Sequence, residues 1–146
     1  MAMELPAVSA IMTRLADPEL HLAAYGGVVL PVALIVEAPV MMLLAASVAL
    51  AKDRASYRLI YRFMMTLGAG LTVLHAALAF TPLFDLVVVP LLGPPPSVVE
   101  PARLGFRLLL PWTWAIAYRR FNQGLLIRFG RSHQVTIGTA LRLVTV

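Results

Sequence analysis

The chain has 146 residues, of which 60% are hydrophobic and 13% charged, and its mean hydropathy of +0.86 is well above that of ordinary soluble domains. Its net charge of +5 could suggest nucleic-acid binding, but the basic residues lie at the edges of apolar stretches, where membrane orientation explains them better. The absence of cysteine excludes disulfides and thiolate metal sites. The composition therefore predicts a membrane protein with no nucleic-acid partner.

The predicted elements begin with a short apolar segment and a long helix. Residues 1–14 are too few to cross a bilayer, which takes about 20 residues, so they predict a partial helix. Asp17, Pro18 and Glu19 are typical of a helix start, because they supply an N-cap, a first-turn proline and an N-terminal acid. A helix is therefore predicted over residues 18–51.

Two long apolar stretches form the middle of the chain. Glu37 is the only formal charge between Leu22 and Ala51. The next predicted helix covers residues 59–84, and it is uncharged from Phe63 onward except for the titratable His75. Both stretches exceed the length of a signal-peptide core and lie deep in the chain, so each predicts a membrane span.

The remaining elements are less regular. Residues 85–103 predict a connector, because the GPPPSVVEP sequence at 93–101 cannot sustain a regular hydrogen-bonded ladder. A helix follows at 104–130, and a partial helix covers 134–146. The chain is thus predicted to be a single all-α, polytopic membrane domain with about four to five transmembrane segments.

The charges of the connectors predict an orientation. Residues 52–62 and 128–133 carry six arginines and lysines, whereas residues 14–21 and 93–107 carry three. The positive-inside rule therefore places the first pair in the cytoplasm. The expected location is the cell inner membrane, as a multi-pass membrane protein. A lipid- or ligand-binding role for these charges is the alternative.

Ionisable residues recur at the middle of the predicted spans. Counting at about 1.5 Å per residue places five of them in one central layer: Glu37, His75, Arg119, Arg120 and Arg142. Charges at this depth usually face a bundle interior and bind a substrate or pair with one another. The layer has a positive excess, which favours an anionic ligand.

A structural interpretation of the same layer remains open. Glu37 could neutralise one of the two adjacent arginines on the fourth span as a packing pair. Arg142 could extend its side chain toward the interface, and His75 could be a hydrogen-bonded core residue.

Prolines within the second span suggest a further polar group. Pro31 and Pro39 cannot donate to the helix ladder, so they free the carbonyls of Gly27 and Ile35. A freed carbonyl near Glu37 would suit a coupling site for a cation or proton.

The fourth span has two faces with different expected roles. One face is expected to line a cavity: Trp112, Ile116, Arg119 and Gln123. The neighbouring face contains Thr113, Ala117, Arg120 and Gly124. Its small residues Ala117 and Gly124 predict close approach of another helix.

Signatures of enzymatic chemistry are absent from the sequence. There is no phosphate-binding glycine loop, no pair of histidines at ligand spacing, and no nucleophile with a base at recognisable distance. The sequence therefore predicts no enzyme activity, no cofactor and no metal site.

The order of these features resembles a known family. Four features in this order resemble the N-terminal part of exporters of the MOP superfamily, especially MATE-like and progressive-ankylosis-type transporters. They are the acid and proline in a long second span, the KDRASYR turn, the segment HAALAFTPLFDLVV and the segment RLGFRLLLPWTWAIAYRRFNQGLLIRFGRS. The resemblance covers nearly the whole chain but only about a third of a family member, which has about twelve helices in two similar lobes.

The resemblance implies secondary transport by alternating access between two lobes. MATE relatives usually exchange organic cations for sodium ions or protons, and ankylosis-type relatives are associated with export of pyrophosphate or citrate-like anions. Glu37 is then the expected coupling residue, and the expected substrate-binding residues are His75, Arg119, Arg120, Gln123 and Arg142.

The expected partners are membrane lipid, a small-molecule or anionic substrate, and a second lobe or a homo-oligomer, because the chain is expected to be one fragment of a transporter. The alternative function is a small non-transporting membrane module that packs against a partner protein.

Overall fold

The computed structural model describes the backbone of residues 4–145 and the side chains of residues 8–141. Every regular element in this part of the chain is helical, which confirms the all-α class. Eight α-helices follow in order: α1 (Glu4–Met12), α2 (Pro18–Ala24), α3 (Leu30–Leu50), α4 (Arg54–Phe80), α5 (Val89–Leu92), α6 (Pro96–Leu108), α7 (Leu110–Arg128) and α8 (Ser132–Thr145). Two π-helical turns, Tyr25–Val29 and Phe84–Val88, join α2 to α3 and precede α5.

Two helices in the described residues are long and apolar enough to cross a membrane. The first is the continuous 33-residue helix Pro18–Leu50, and the second is the 27-residue helix α4. Helix α7 is shorter, with 19 residues, and it carries Arg119, Arg120 and Arg128. The structure thus supplies two candidate spans, fewer than the four to five that the sequence predicts.

Both π-helical turns end two residues before a proline. The residue that precedes Pro31 donates its backbone N–H to the carbonyl of Tyr25, five positions back, and the residue that precedes Pro90 does the same to Phe84. A proline has no N–H and its ring collides with the carbonyl four residues earlier. The wider π-helical turn leaves room for the proline ring and avoids the need for its missing N–H, so the helix continues through each proline.

The chain divides into two compact units, each with its own apolar core. The first unit comprises the chain up to Val36 together with Leu74–Leu110, and the second comprises Glu37–Val73 and Pro111–Thr145. The core of the first unit includes Val28, Val32, Phe84, Ala102 and Phe106. The core of the second includes Val40, Leu43, Met64, Ile116 and Phe121.

Small residues allow close helix packing in the second unit. A Cβ atom added to Gly124 of α7 would lie 2.5 Å from Ser47 Cβ and 2.6 Å from the Leu44 carbonyl of α3. A Cβ atom on Gly68 of α4 would lie 3.5 Å from the Cβ of Ala117 on α7. The prediction that Ala117 and Gly124 permit close approach of another helix is therefore confirmed.

The structure differs from the connector predicted over 85–103. Pro96–Leu108 is a helix, because a proline is tolerated at a first helical position, where its missing N–H has no intrahelical partner. Val98, Ala102 and Phe106 recur every four residues and bury one face of this helix. The proline-rich sequence therefore starts a helix and does not prevent one.

Other helix limits also differ from the sequence prediction. The helix predicted over 104–130 is divided at Leu109, which is the C-cap of α6. The helix predicted to begin at residue 18 does begin at Pro18, but Asp17 adopts φ 56° and makes no capping hydrogen bond through its side chain. The helix predicted over 59–84 both begins and ends earlier in the structure, at Arg54 and Phe80.

The early start of α4 follows from an N-terminal cap. Asp53 Oδ1 accepts hydrogen bonds from the N–H groups of Ala55 and Ser56 at 2.9 and 2.8 Å. The Ser56 hydroxyl oxygen accepts in return from the Asp53 N–H at 3.0 Å. This reciprocal arrangement satisfies N–H groups that no helical carbonyl can reach. The hydrogen bonds, those from Ser56 above all, hold the pKa of Asp53 below its ordinary value of 3.8.

The Asp53 cap predicts a dependence of stability on acid. Because the folded-state pKa is below the unfolded-state value, the cap stabilises the protein above the unfolded-state value and this contribution is lost as pH falls through the folded-state value. Asp53→Asn keeps a capping oxygen that does not titrate, so part of the acid destabilisation should disappear. Thermal unfolding in detergent from neutral to strongly acidic pH measures this. Asp17→Asn, at a carboxylate without a cap, should behave as the wild type; an equal change in both variants would contradict the assignment.

The close packing at Gly124 predicts that adding one methyl group there lowers the stability of the protein markedly. Gly124→Ala should lower the free energy of unfolding by about 1–3 kcal/mol, because the backbones of α3 and α7 must move apart. Gly70→Ala on α4 is the matched control, since its Cβ would meet nothing within 4 Å. It should be neutral or stabilising by about 0.5–1 kcal/mol. Denaturant unfolding in detergent compares the two, and similar values would show that α3 and α7 are not closely packed there.

Candidate functional site

A buried carboxyl group lies between α3 and α7 in the second unit. Glu37 is only 2% exposed, and the side chain of Trp112 makes a hydrogen bond to its carboxyl group. Among the residues that the structure describes, none provides a hydrogen-bond partner for the other carboxyl oxygen, Oε1. Val40 and Ile116, one turn further along the two helices, belong to the apolar core. One oxygen of the carboxyl group thus has a hydrogen-bond partner, whereas Oε1, which is also buried, has none among the described residues.

The hydrogen bond from Trp112 determines what the Glu37 carboxyl group can bind. An indole N–H can only donate, so Trp112 orients the carboxyl group without taking a proton from it. A buried carboxylate that lacks a cation is costly, and binding of a proton or a cation removes that cost. Oε1 is therefore a suitable position for a proton, a cation or a hydrogen-bond donor of a ligand.

Ile35, whose carbonyl Pro39 frees, lies on a different face of α3 from Glu37. Ile35 is 61% exposed and Pro39 is also exposed, whereas Glu37 is buried. Two residues along an α-helix rotate a side chain by about 200°, which places Glu37 opposite the other two. The side chains of Ile35 and Glu37 thus lie on opposite faces of α3, and a common site for the Ile35 carbonyl and Glu37 stays a prediction.

His75 is a hydrogen-bonded residue of the first unit's interior. It is fully buried, and its Nε2–H donates to the Phe106 carbonyl at 2.8 Å. Its ring also stacks on the Phe106 ring, with 3.9 Å between the centroids. The Phe106 carbonyl belongs to the last turn of α6, where carbonyls lack intrahelical partners. This geometry favours the structural interpretation of His75 over a substrate-binding one.

Arg107 makes the reciprocal contact, and the sequence analysis missed it. Its Nε–H donates to the carbonyl of Ala79, in the last turn of α4, at 2.9 Å. Its guanidinium group lies 5.3 Å from the centre of the Phe80 ring. A basic residue in the last turn of a helix is a known signal for carbonyl capping, but here the capped carbonyl belongs to another helix.

Arg119 and Gln123 lie together, as their spacing on one face of α7 predicts. Both line a pocket of about 300 Å³ between α7 and α8. Gln134 and Thr139 of α8 line the opposite wall. The residues that line the pocket thus include one guanidinium group and several amide and hydroxyl groups, although most of the pocket surface is apolar.

The other two predicted arginines are placed differently. Arg120 is half-buried on the neighbouring face of α7 and is not among the residues that line this pocket. Arg142 lies within α8 by its backbone, and its side chain is outside the described residues. Within the described residues, no three histidine, aspartate or glutamate side chains converge as metal ligands.

Comparison with known proteins adds no identification. No family model, curated protein or solved structure matches the chain.

The His75 geometry predicts a specific loss of stability. His75→Leu should lower the free energy of unfolding by about 1–3 kcal/mol, because it leaves the Phe106 carbonyl buried without its donor. His133→Leu is the control, since His133 is exposed at the start of α8 and its loss should change stability by less than about 0.5 kcal/mol. Thermal unfolding in detergent measures both variants. A His75→Leu protein as stable as the wild type would rule out the capping role.

Proposed function

We propose that the chain is part of a secondary active, ion- or proton-coupled exporter of small organic or anionic solutes, of the MATE-like type. The observation that carries this proposal is the buried carboxyl group of Glu37, which is hydrogen-bonded to Trp112 and whose Oε1 has no hydrogen-bond partner among the described residues. An ionisable group at such a position in an apolar helix is a functional candidate, because it is costly to maintain for packing alone.

Membrane insertion is the first part of the proposal. The helices Pro18–Leu50 and Arg54–Phe80 have the length and hydropathy that a bilayer requires. Large apolar side chains on their outer surfaces are strongly exposed, including Met42, Leu59 and Val73. Hydrocarbon would cover such side chains where water would not. We place the protein in the cell inner membrane as a multi-pass protein, with its more basic connectors in the cytoplasm.

Coupling follows from the two charge states of Glu37. With the carboxylate empty, an uncompensated charge is buried in the second unit, and the conformation that exposes it to water is favoured. With a proton or cation bound, the charge is compensated and the closed arrangement is favoured. A gradient of the bound ion would thereby shift the balance between two conformations.

Solute binding is assigned to the pocket between α7 and α8. Arg119 keeps its charge under all physiological conditions and can hold a carboxylate or phosphate group in bidentate geometry. Gln123 and Gln134 add amide donors and acceptors around the same volume of about 300 Å³. That volume is at the lower end for ligand pockets and matches a small solute.

Alternating access also needs two groups of helices that move relative to each other. We therefore propose that the chain works with a second lobe or as a homo-oligomer. The alternative function is a small non-transporting membrane module that packs against a partner protein. His75 and Arg107 favour this alternative, because both use polar groups to join helices.

The test of coupling is Glu37→Gln, which keeps the shape and the hydrogen bond from Trp112 but removes the titratable group. Proteoliposomes should show gradient-driven efflux of a fluorescent organic cation or of pyrophosphate, under an imposed proton or sodium gradient. The variant should lose this flux by at least about tenfold, the scale of removing an essential proton-transfer or charge interaction.

The matched control is Glu100→Gln, since the Glu100 side chain is 80% exposed. It should transport as the wild type does. A Glu37→Gln protein that folds normally and transports at the wild-type rate would contradict the coupling role. Loss of assembly without a flux defect in the folded fraction would favour the packing module.

A further inference from the structure

A second cleft lies in the second unit, at the end where α4 begins and α7 passes into α8. It has a volume of about 570 Å³ and is lined by Tyr57, Asn122, Leu125, Leu126, Phe129 and Arg131. We call it the connector cleft, because its residues come from both basic connectors and from the last turns of α7. Residues 52–62 and 128–133, which the charge pattern places on one side of the membrane, thus contribute to one cavity.

The two connectors that contribute residues to this cleft are rich in positive charge, and Arg131 is the basic residue among them that lines it. They contain half of the chain's 12 lysines and arginines: Lys52, Arg54, Arg58, Arg62, Arg128 and Arg131. Asp53 is their only acid, and its Oδ1 already accepts two backbone hydrogen bonds in the cap of α4. The field at this end therefore attracts anions.

The lining of the cleft has a polar part and an apolar part. Arg131, the Tyr57 hydroxyl and the Asn122 side chain are polar, whereas Leu125 and Phe129 are apolar. The Tyr57 ring is held in place by stacking with Tyr61 and by contact with Phe121, at centroid distances of 6.1 and 5.7 Å. A rigid aromatic side chain with a polar end is typical of the membrane interface.

The connector backbone is also fixed. The Arg131 N–H donates to the Leu126 carbonyl at 2.7 Å, and Gly130 turns the chain at φ 70°. An arginine on such a turn loses less backbone freedom when it binds than one on an open loop.

We propose that the connector cleft binds one anionic phospholipid, with its phosphate on Arg131 and its acyl chains against Leu125 and Phe129. The lipid has a charged phosphate next to hydrocarbon, and the cleft has a matching arrangement of a charged arginine next to apolar side chains. Arginine binds phosphate in bidentate geometry, and an anionic lipid is favoured over a zwitterionic one because the positive choline group of the latter is repelled by the basic connectors. The inference rests on the membrane location proposed above and does not depend on transport.

The test uses the purified protein in detergent with equal amounts of phosphatidylglycerol and phosphatidylcholine, and native mass spectrometry counts the retained lipid. The wild type should retain phosphatidylglycerol selectively. Arg131→Gln should weaken that retention by about tenfold, the scale of one charge-assisted hydrogen-bonding partner. Arg58→Gln is the matched control, because Arg58 is an exposed arginine of the same connectors that does not line the cleft. It should change retention by less than about twofold.

Three results would overturn the proposal. Equal losses in the two arginine variants would show that the charges attract lipid only as a diffuse field. The absence of any preference for phosphatidylglycerol in the wild type would exclude an anionic lipid. Displacement of the lipid by inorganic phosphate would show that the site takes free phosphate. Glu37→Gln should retain the lipid as the wild type does, so failure of lipid binding and failure of coupled transport are separate outcomes.

Discussion

In an apolar chain, each buried polar group must find a partner, and this constraint determines how the helices of the first unit are joined. His75 on α4 donates to a carbonyl in the last turn of α6, and Arg107 on α6 donates to a carbonyl in the last turn of α4. Each helix therefore donates a hydrogen bond to a carbonyl group in the last turn of the other. Because both bonds must form together, they set the register between the two helices, and the stacking of His75 on Phe106 adds to the same contact.

Glu37 departs from this rule, and the difference is informative. Its carboxyl group has Trp112 on one oxygen and, among the described residues, no partner on the other. The His75 ring, hydrogen-bonded to the Phe106 carbonyl and stacked on the Phe106 ring, suits a residue that stabilises a single structure. Half pairing of Glu37 suits a residue that changes its partner, which is what coupling to an ion gradient requires. The proposed exporter function depends on this contrast between two ionisable side chains that are equally buried.

The sequence prediction succeeded where a local pattern decides the result. Hydropathy predicted the helical class, Pro18 marked the start of a long helix, and the small residues Ala117 and Gly124 marked a close helix contact. It failed for residues 96–108, because three consecutive prolines concealed a helix whose buried face becomes apparent only when Val98, Ala102 and Phe106 are seen together. Proline acts oppositely at a first position and in a helix interior, and the local pattern did not distinguish the two.

The sequence by itself determined the long apolar helices, the excess of basic residues in two connectors, and the presence of ionisable residues within apolar stretches. These are properties of composition and of short-range periodicity. Only the tertiary structure decided the partners: Trp112 for Glu37, the Phe106 carbonyl for His75, and a common pocket for Arg119 and Gln123. The physical reason is that depth along a helix can be counted from sequence, whereas rotation and register between helices depend on side-chain packing and hydrogen bonds across long separations in the chain.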